Sequence, residues 1–171
     1  MRARRSTPAF LRAGAAALVL ALASLSPAAD TGGTAGWPWW RGPLGNGTSP
    51  DGDPPLRWSE RENVRFKVPI DGHGLATPIV WGDRIYVLSA LPLGGTPLAR
   101  QRFLVTAYDR HDGSVEWQRV AVERVPHEGH HLESSWATAS PVTDGELVYA
   151  HFGSAGTYAY TSTAFPMLTG T

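Results

Sequence analysis

The chain has 171 residues, no cysteine, and 15 basic against 15 acidic side chains, so its formal net charge is zero. A chain of this length corresponds to about one domain. The balanced charge excludes the basic stripe of a nucleic-acid-binding surface, and the absence of cysteine excludes disulfides. Nineteen glycines, fourteen prolines and seven tryptophans indicate short segments joined by tight turns.

The first 29 residues have the organisation of a secretory signal peptide. Four arginines lie within the first twelve residues, an apolar run covers residues 13–25, and small residues follow up to Ala29. The apolar run is shorter than the roughly 20 residues of a membrane span. We therefore predict Sec-type export, cleavage after Ala28 or Ala29, and a periplasmic or secreted protein without a membrane anchor. An uncleaved anchor is the alternative.

Residues 30–57 are predicted as a flexible linker followed by a coil rich in Trp, Pro and Gly. The linker TGGTAG (31–36) has the composition of a flexible chain, and WPWWRGPLGNGTSP has too many turn formers for a regular element. We expect Trp37, Trp39 and Trp40 to form a hydrophobic latch across the folded domain. An aromatic surface that stacks on sugars or other ligands is the alternative.

From Trp58 onward the sequence changes to short segments of alternating hydrophobicity, rich in β-branched and aromatic residues. Turn signals separate these segments, among them two Asp-Gly pairs, Asp112-Gly113 and Asp144-Gly145, that are typical of hairpins. This pattern predicts an all-β protein. The predicted strands cover residues 63–70, 84–90, 103–109, 115–122 and 147–153.

The segments also repeat. Residues 76–90 align without gaps on residues 139–153, and Phe66 takes the position of Trp117 in a separate alignment. Four strands recurring every 50 to 60 residues or so are typical of propeller blades. We therefore predict a β-propeller of four-stranded antiparallel blades, represented by about one and three-quarter blades plus an N-terminal closing strand.

The predicted partial propeller covers residues 58–171, with one blade at 76–122, an incomplete blade at 139–160 and a tail at 161–171. Propellers usually have about four to eight blades, so we expect a fragment of a longer protein, produced by truncation or a shifted reading frame. No fourth strand is predicted after Tyr160, which would leave an open sheet edge. The missing blades, or another chain, would be needed to complete the sheet.

The segment AYDRHDGSVEWQ (107–118) resembles the repeat A-x-D-x-x-T-G-x-x-x-W of pyrroloquinoline-quinone-type propellers. Gly113 and Trp117 occupy the Gly and Trp positions of that repeat, and Asp112 replaces its usual Thr. The opening WPWWRGPLGNGTSP resembles the N-terminus of exported bacterial proteins of the same group. The resemblance implies a propeller fold and allows pyrroloquinoline quinone and calcium as cofactors, although no residue of this chain establishes either.

The sequence contains no convincing acid–base pair or activated nucleophile, so we expect a non-catalytic binding or scaffold module. Its partner is an unknown protein or small molecule. The alternative is a periplasmic quinone-dependent dehydrogenase, although the adjacent-Cys pair of many alcohol-oxidising relatives is absent.

One histidine cluster (127–131) spells H-E-x-x-H, the pattern of a zinc-protease helix. A zinc hydrolase using His127, Glu128 and His131 is therefore a third alternative. Pro126 and Gly129 oppose a helix here, and we predict an exposed loop between two blades, where binding residues are often carried. The candidate binding residues are His73, His127, Glu128, His130, His131 and Trp136.

Overall fold

The computed structural model describes residues 36–50, 52–96 and 99–163, together with the backbone of residues 166–167. The predicted signal peptide (1–29), residues 30–35 of the linker and most of the predicted tail lie outside the described residues. The described residues form strands, turns and one short 3-10 turn, and no α-helix is found among them. Within the same ranges, no helix is long and apolar enough to cross a bilayer.

Four strands form the first sheet: β1 (Ile79–Trp81), β2 (Arg84–Pro92), β3 (Gln101–Asp109) and β4 (Val115–Arg124). They pair in chain order, each antiparallel to the next. The β3–β4 turn requires a left-handed residue, which Gly113 supplies with φ +77°. The predicted strands at 84–90, 103–109 and 115–122 therefore form, each within one or two residues of its predicted bounds.

The second sheet repeats this arrangement with shorter strands. Strands β5 (Val142–Thr143), β6 (Leu147–His151) and β7 (Thr157–Thr161) form an antiparallel meander, with a 3-10 turn at Gly153–Ala155 between the last two. The fold is thus all-β with two antiparallel sheets. In both sheets the second strand begins at matching positions of the sequence repeat, Arg84 and Leu147.

The prediction that the second unit has no fourth strand is corrected by β8 (Pro166–Met167). This two-residue strand pairs antiparallel with β7, placing Ala159 opposite Met167 and Tyr160 opposite Pro166. Backbone pairing needs only a free neighbouring edge and a tight turn, so it forms here without the Asp-Gly turn and the Trp on which the prediction depended.

The predicted N-terminal closing strand at residues 63–70 is expected to pair with the last blade of a complete ring, and that pairing stays a prediction. None of the described strands forms a ladder with this segment. Instead, Phe66 lies over Gly113, where an added Cβ would come within 2.5 Å of the phenyl ring. Asp71 accepts a hydrogen bond of 3.3 Å from Gln118 Nε2. Within residues 63–70, Phe66 thus packs on the β3–β4 turn, whereas Val64 and Ile70 are each 45% exposed.

The core lies between the two sheets. Phe103 and Phe152 face each other with ring centroids 5.1 Å apart, and Trp117 contacts Tyr160 at 6.0 Å and Tyr86 at 5.9 Å. Burial raises the pKa of both tyrosines, so each phenol stays neutral in the core. Alternate positions of β2, β3 and β6 face this layer. Its other fully buried members are Ile79, Leu88, Val105, Ala107, Ala137, Val148 and Ala150.

The N-terminal coil bridges the two sheets. Trp37 exchanges two backbone hydrogen bonds with Val80 of β1, at 2.7 and 2.9 Å, and the carbonyl of Pro38 accepts one of 3.0 Å from Thr143 of β5. The expected latch thus rests on Trp37 and Pro38. The turn that follows, closed by the Gly42 N–H bonding the Trp39 carbonyl at 2.9 Å, directs Trp39 and Trp40 outward, and Trp40 is 64% exposed.

Candidate functional site

Three connections meet at one end of the first sheet. Since neighbouring strands are antiparallel, the end of β2, the start of β3, the end of β4 and the start of β1 lie at the same edge. The connections are residues 71–78 before β1, 93–100 between β2 and β3, and 125–141 after β4. Three loops that are far apart in the sequence therefore surround a common space.

This space is a pocket of about 380 Å³, within the range of roughly 300–1,000 Å³ typical of small-molecule sites. Three predicted candidates, His73, His130 and Trp136, line it together. The remaining lining residues come from β2, β3 and their connecting loop, and from the serines before Trp136: Ala90, Pro92, Gly94, Gly95, Thr96, Gln101, Ser134 and Ser135.

Hydrogen bonds hold the 125–141 loop against its neighbour. The carbonyl of Ala137 accepts from the backbone N–H groups of Leu75 and Ala76, at 3.1 and 3.2 Å. The hydroxyl of Ser140 accepts from the N–H of Thr77 at 2.9 Å. Ala137 is fully buried in the core between the sheets. These contacts fix one wall of the pocket relative to the strand that starts at Ile79.

His130 and Trp136 form an aromatic corner. Their rings meet edge to face, with centroids 4.2 Å apart and planes at 88°. The Trp136 Nε1–H donates to the Glu128 carbonyl at 3.2 Å. His130 Nδ1 lies 2.6 Å from the carbonyl of His131. A carbonyl oxygen only accepts, so His130 Nδ1 carries the proton, and in the neutral ring Nε2 has the free lone pair.

His73 is held by its backbone. Its N–H and C=O pair with Ala90 of β2 at 2.9 and 2.8 Å, in an isolated antiparallel bridge six residues before the first ladder residue of β1, Ile79. The adjacent Gly72 has φ +80° and would place a Cβ 2.5 Å from the Ala90 carbonyl. A glycine is therefore required for this close approach.

The other three predicted candidates lie outside the pocket lining. His127 Nε2 is 3.2 Å from the Glu128 carboxylate, and both side chains are more than half exposed. His131 Nδ1 accepts from the Glu133 N–H at 3.2 Å, which places the proton of the neutral ring on Nε2. Each member of the H-E-x-x-H pattern is thus engaged locally, with no common point of convergence.

The segment 127–131 is a loop without helical turns. The zinc-hydrolase alternative needs His127 and His131 one helical turn apart on one face, and this backbone does not provide that arrangement. Among the residues that the structure describes, no group of three or more His, Cys, Asp or Glu side chains is placed to hold a metal ion.

The residues of this pocket do not fit pyrroloquinoline quinone with calcium. Calcium takes six to eight oxygen ligands, commonly carboxylates, whereas the pocket lining contains no Asp, Glu or Asn. It also contains no Lys or Arg to meet the carboxylates of the quinone. The pocket therefore lacks the charged side chains by which either group would be held.

A second, more open groove of about 660 Å³ lies beside the N-terminal coil. Trp39, Trp40 and Arg41 form one side, and the guanidinium of Arg41 lies 5.6 Å from the Trp40 ring centre. Leu75 and Val142 contribute exposed apolar surface on the other side. The aromatic surface considered from the sequence is thus present at Trp39 and Trp40.

Sequence reasoning missed the pocket residues that come from β2, β3 and their hairpin loop. Gln101, at the start of β3, is almost fully buried and donates from Nε2 to the Ala99 carbonyl at 3.0 Å. The strand order could have indicated them. Pro92 and Gln101 flank the β2–β3 hairpin loop, which in an antiparallel sheet lies at the same end as the loop that follows β4.

A scan against protein-family models, a search of curated proteins and a search of solved structures each found no match for this chain. The resemblance to pyrroloquinoline-quinone-type repeats thus stays a prediction from the residues.

Proposed function

We propose that this chain is an exported, non-catalytic binding or scaffold module built from propeller blades of the pyrroloquinoline-quinone type. The observation that carries the binding function is the pocket of about 380 Å³ at which His73, His130 and Trp136 converge from two separate connections. Such pockets, largely apolar with a few placed polar groups, are the usual form of a small-molecule site.

The blade architecture is supported by the placement of two aromatic residues that are aligned in the sequence repeat. Trp117 of β4 reaches across to the second sheet and donates from Nε1 to the carbonyl of Ser162, in the turn after β7. Phe66, aligned with Trp117 in the sequence repeat, lies on Gly113 in the turn after β3 of the first sheet. Residues 63–70 thus contact the first sheet as β4 contacts the second, which is where the last strand of a preceding blade would lie.

A second line of support comes from repeat positions that differ in burial. Ile79 and Tyr86 are 0% and 1% exposed because the second sheet covers them, whereas their counterparts Val142 and Tyr149 are 43% and 38% exposed. The far face of the second sheet therefore carries the same kind of residues as a face that is covered elsewhere. A further blade, or another chain, is the partner that we propose for it.

The binding function is tested with a panel of small molecules and the full chain. Neutral aromatic, anionic, cationic and sugar probes are screened by ligand-observed NMR. We expect saturable binding of at least one probe that is recovered chemically unchanged, is lost in Trp136→Ala and persists in His127→Ala, a loop variant outside the pocket. If no probe binds, or if binding is indifferent to Trp136, the pocket is not the site and the proposal is wrong.

A further inference from the structure

The side chains of the pocket define the charge of its ligand. The described residues of its lining include no Asp, Glu, Lys or Arg. While His73 and His130 are in their neutral forms, a charged group brought into the pocket would lose hydration without meeting an opposite charge among these residues, and that loss costs free energy. The chemistry around the pocket therefore favours an uncharged ligand over a phosphate, a carboxylate or an amine.

The tautomer of His130 determines which kind of hydrogen bond a ligand must make. His130 Nδ1–H donates a hydrogen bond to the His131 carbonyl, with 2.6 Å between the nitrogen and the oxygen. In the neutral ring, the nitrogen left for a ligand is therefore Nε2, which is an acceptor. The indole N–H of Trp136 is already bonded to the Glu128 carbonyl. The aromatic corner thus accepts a hydrogen bond, and a matching ligand must donate one.

The same corner defines a shape. His130 and Trp136 stand at 88° with centroids 4.2 Å apart, and Ala90 and Pro92 add apolar surface from β2. Flat rings pack on aromatic side chains in offset or edge-to-face arrangements. A planar ring placed here would contact aromatic surface and reach Nε2 with a substituent at its edge.

We propose that the ligand of this pocket is a neutral aromatic compound with a hydroxyl group, of the phenol class, whose O–H donates to His130 Nε2. This inference rests on the proposed binding function and adds the ligand class to it. His130 is a binding residue, and Trp136 and the β2 residues provide the apolar contacts.

The test compares three matched naphthalenes on the full chain by isothermal titration calorimetry. The probe 2-naphthol can donate a hydrogen bond, 2-methoxynaphthalene can only accept one, and 2-naphthoate is anionic. We expect 2-naphthol to bind saturably at one site, and both other compounds to bind about tenfold more weakly or worse, because the acceptor that the ligand covers is left unpaired or the charge of the ligand is unmet.

A variant series locates the contact. His130→Phe keeps a ring beside Trp136 but removes the acceptor, so 2-naphthol should lose about tenfold in affinity while 2-methoxynaphthalene is unchanged. Trp136→Ala should weaken the binding of both compounds. His127→Phe, on the same loop but outside the pocket, should change neither. Circular dichroism of each variant checks that it is folded, and the comparison of ligands on the unmodified chain does not depend on any variant.

The outcomes separate this inference from the proposed function. Equal affinity for 2-naphthol and 2-methoxynaphthalene would overturn the donor requirement, and tighter binding of 2-naphthoate would overturn the neutral class. If cellobiose binds in a Trp136-dependent manner and the naphthalenes do not, the module still binds ligands but the phenol class is wrong. If none of these probes binds, the inference fails, and the wider panel decides whether the binding function fails with it.

Discussion

At the scale of single residues, the turns depend on side chains that satisfy the backbone. Asp144, before the left-handed Gly145, accepts from the N–H groups of Glu146 at 2.9 Å and Leu147 at 2.8 Å. The hydrogen bond from Leu147, followed by that from Glu146, lowers the pKa of Asp144 below its ordinary value. The ring of Trp81 lies over Gly145, where an added Cβ would come within 2.6 Å of it.

The lowered pKa of Asp144 predicts a pH dependence of stability. A carboxyl whose pKa is lower in the folded state stabilises the fold above its unfolded pKa of about 3.9, and this contribution is lost as the pH falls through the folded value. We expect Asp144→Asn to reduce the free energy of unfolding at neutral pH and to flatten its fall as the pH drops below about 4.

Urea unfolding at a series of pH values, followed by far-UV circular dichroism, measures this slope. Asp53→Asn is the matched control, since Asp53 is exposed and makes no hydrogen bond among the described residues. If the free energy of unfolding of Asp144→Asn depends on pH as steeply as that of the unchanged chain, the lowered pKa of Asp144 does not account for the pH dependence.

At the scale of elements, β4 joins the two sheets through one aromatic side chain. Trp117 is only 8% exposed, contacts one tyrosine from each sheet, and donates to the Ser162 carbonyl at 3.2 Å. On the other face of the first sheet, Gln118 Nε2 bonds both Thr106 and Asp71, at 3.2 and 3.3 Å. Successive residues of β4 thus hold the sheet to different neighbours, as the alternation of side chains along a strand requires.

Truncation of Trp117 should loosen the packing between the sheets. We expect Trp117→Ala to lower the free energy of unfolding by about 3–5 kcal/mol, through lost burial and a residual cavity. Trp117→Phe, which keeps a ring but loses the donor, should cost about 1–2 kcal/mol. Chemical denaturation followed by circular dichroism gives both values.

Trp58→Ala provides the comparison, because Trp58 is 76% exposed and lies outside the core. Its stability should stay within about 0.5 kcal/mol of the unchanged chain. Equal losses for Trp58→Ala and Trp117→Ala would show that Trp117 does not connect the sheets.

At the scale of the whole molecule, the two sheets differ in how they are covered. Strand β3 of the first sheet is buried on both faces, with Thr106 and Tyr108 on one side and Phe103 and Val105 on the other. The far face of the second sheet leaves Val142 and Tyr149 exposed. Exposed apolar patches of this kind commonly mark interaction surfaces.

This difference predicts concentration-dependent association through the far face of the second sheet. We expect the double variant Val142→Lys and Tyr149→Lys to raise the dissociation constant of self-association at least tenfold or so, since association would then bury two unpaired charges. Sedimentation velocity at several protein concentrations measures it. The matched control is Val120→Lys, an exposed position on β4 of the first sheet. Association that is unchanged in the double variant, or reduced equally in the control, would rule out this face.

Much of the fold was predictable because local chemistry decides it. Alternating β-branched and aromatic residues predicted β2, β3, β4 and β6, since a half-buried strand needs that period. The Asp-Gly pairs predicted the turns at Gly113 and Gly145, which both have positive φ. The repeat alignment matched the starts of β2 and β6, at Arg84 and Leu147.

The site was predictable only in part. The histidine loop was expected from Pro126, Gly129 and the serines that follow, and its position between two strands follows from the strand order. Which of its side chains face the pocket depends on a bond between the Ala137 carbonyl and residues 75–76, far away in sequence. His130 and Trp136 therefore line the pocket, whereas His127 and His131 do not.

The sequence by itself determined the all-β class, the strand positions and the hairpin turns, because side-chain period and glycine conformation act over a few residues. Only the tertiary structure decided that Phe66 packs over Gly113 while residues 63–70 join no ladder of the described strands, and that β8 pairs with β7. It also brought His73 beside His130. These outcomes depend on which edges and faces remain free once the sheets have packed, and no local pattern carries that information.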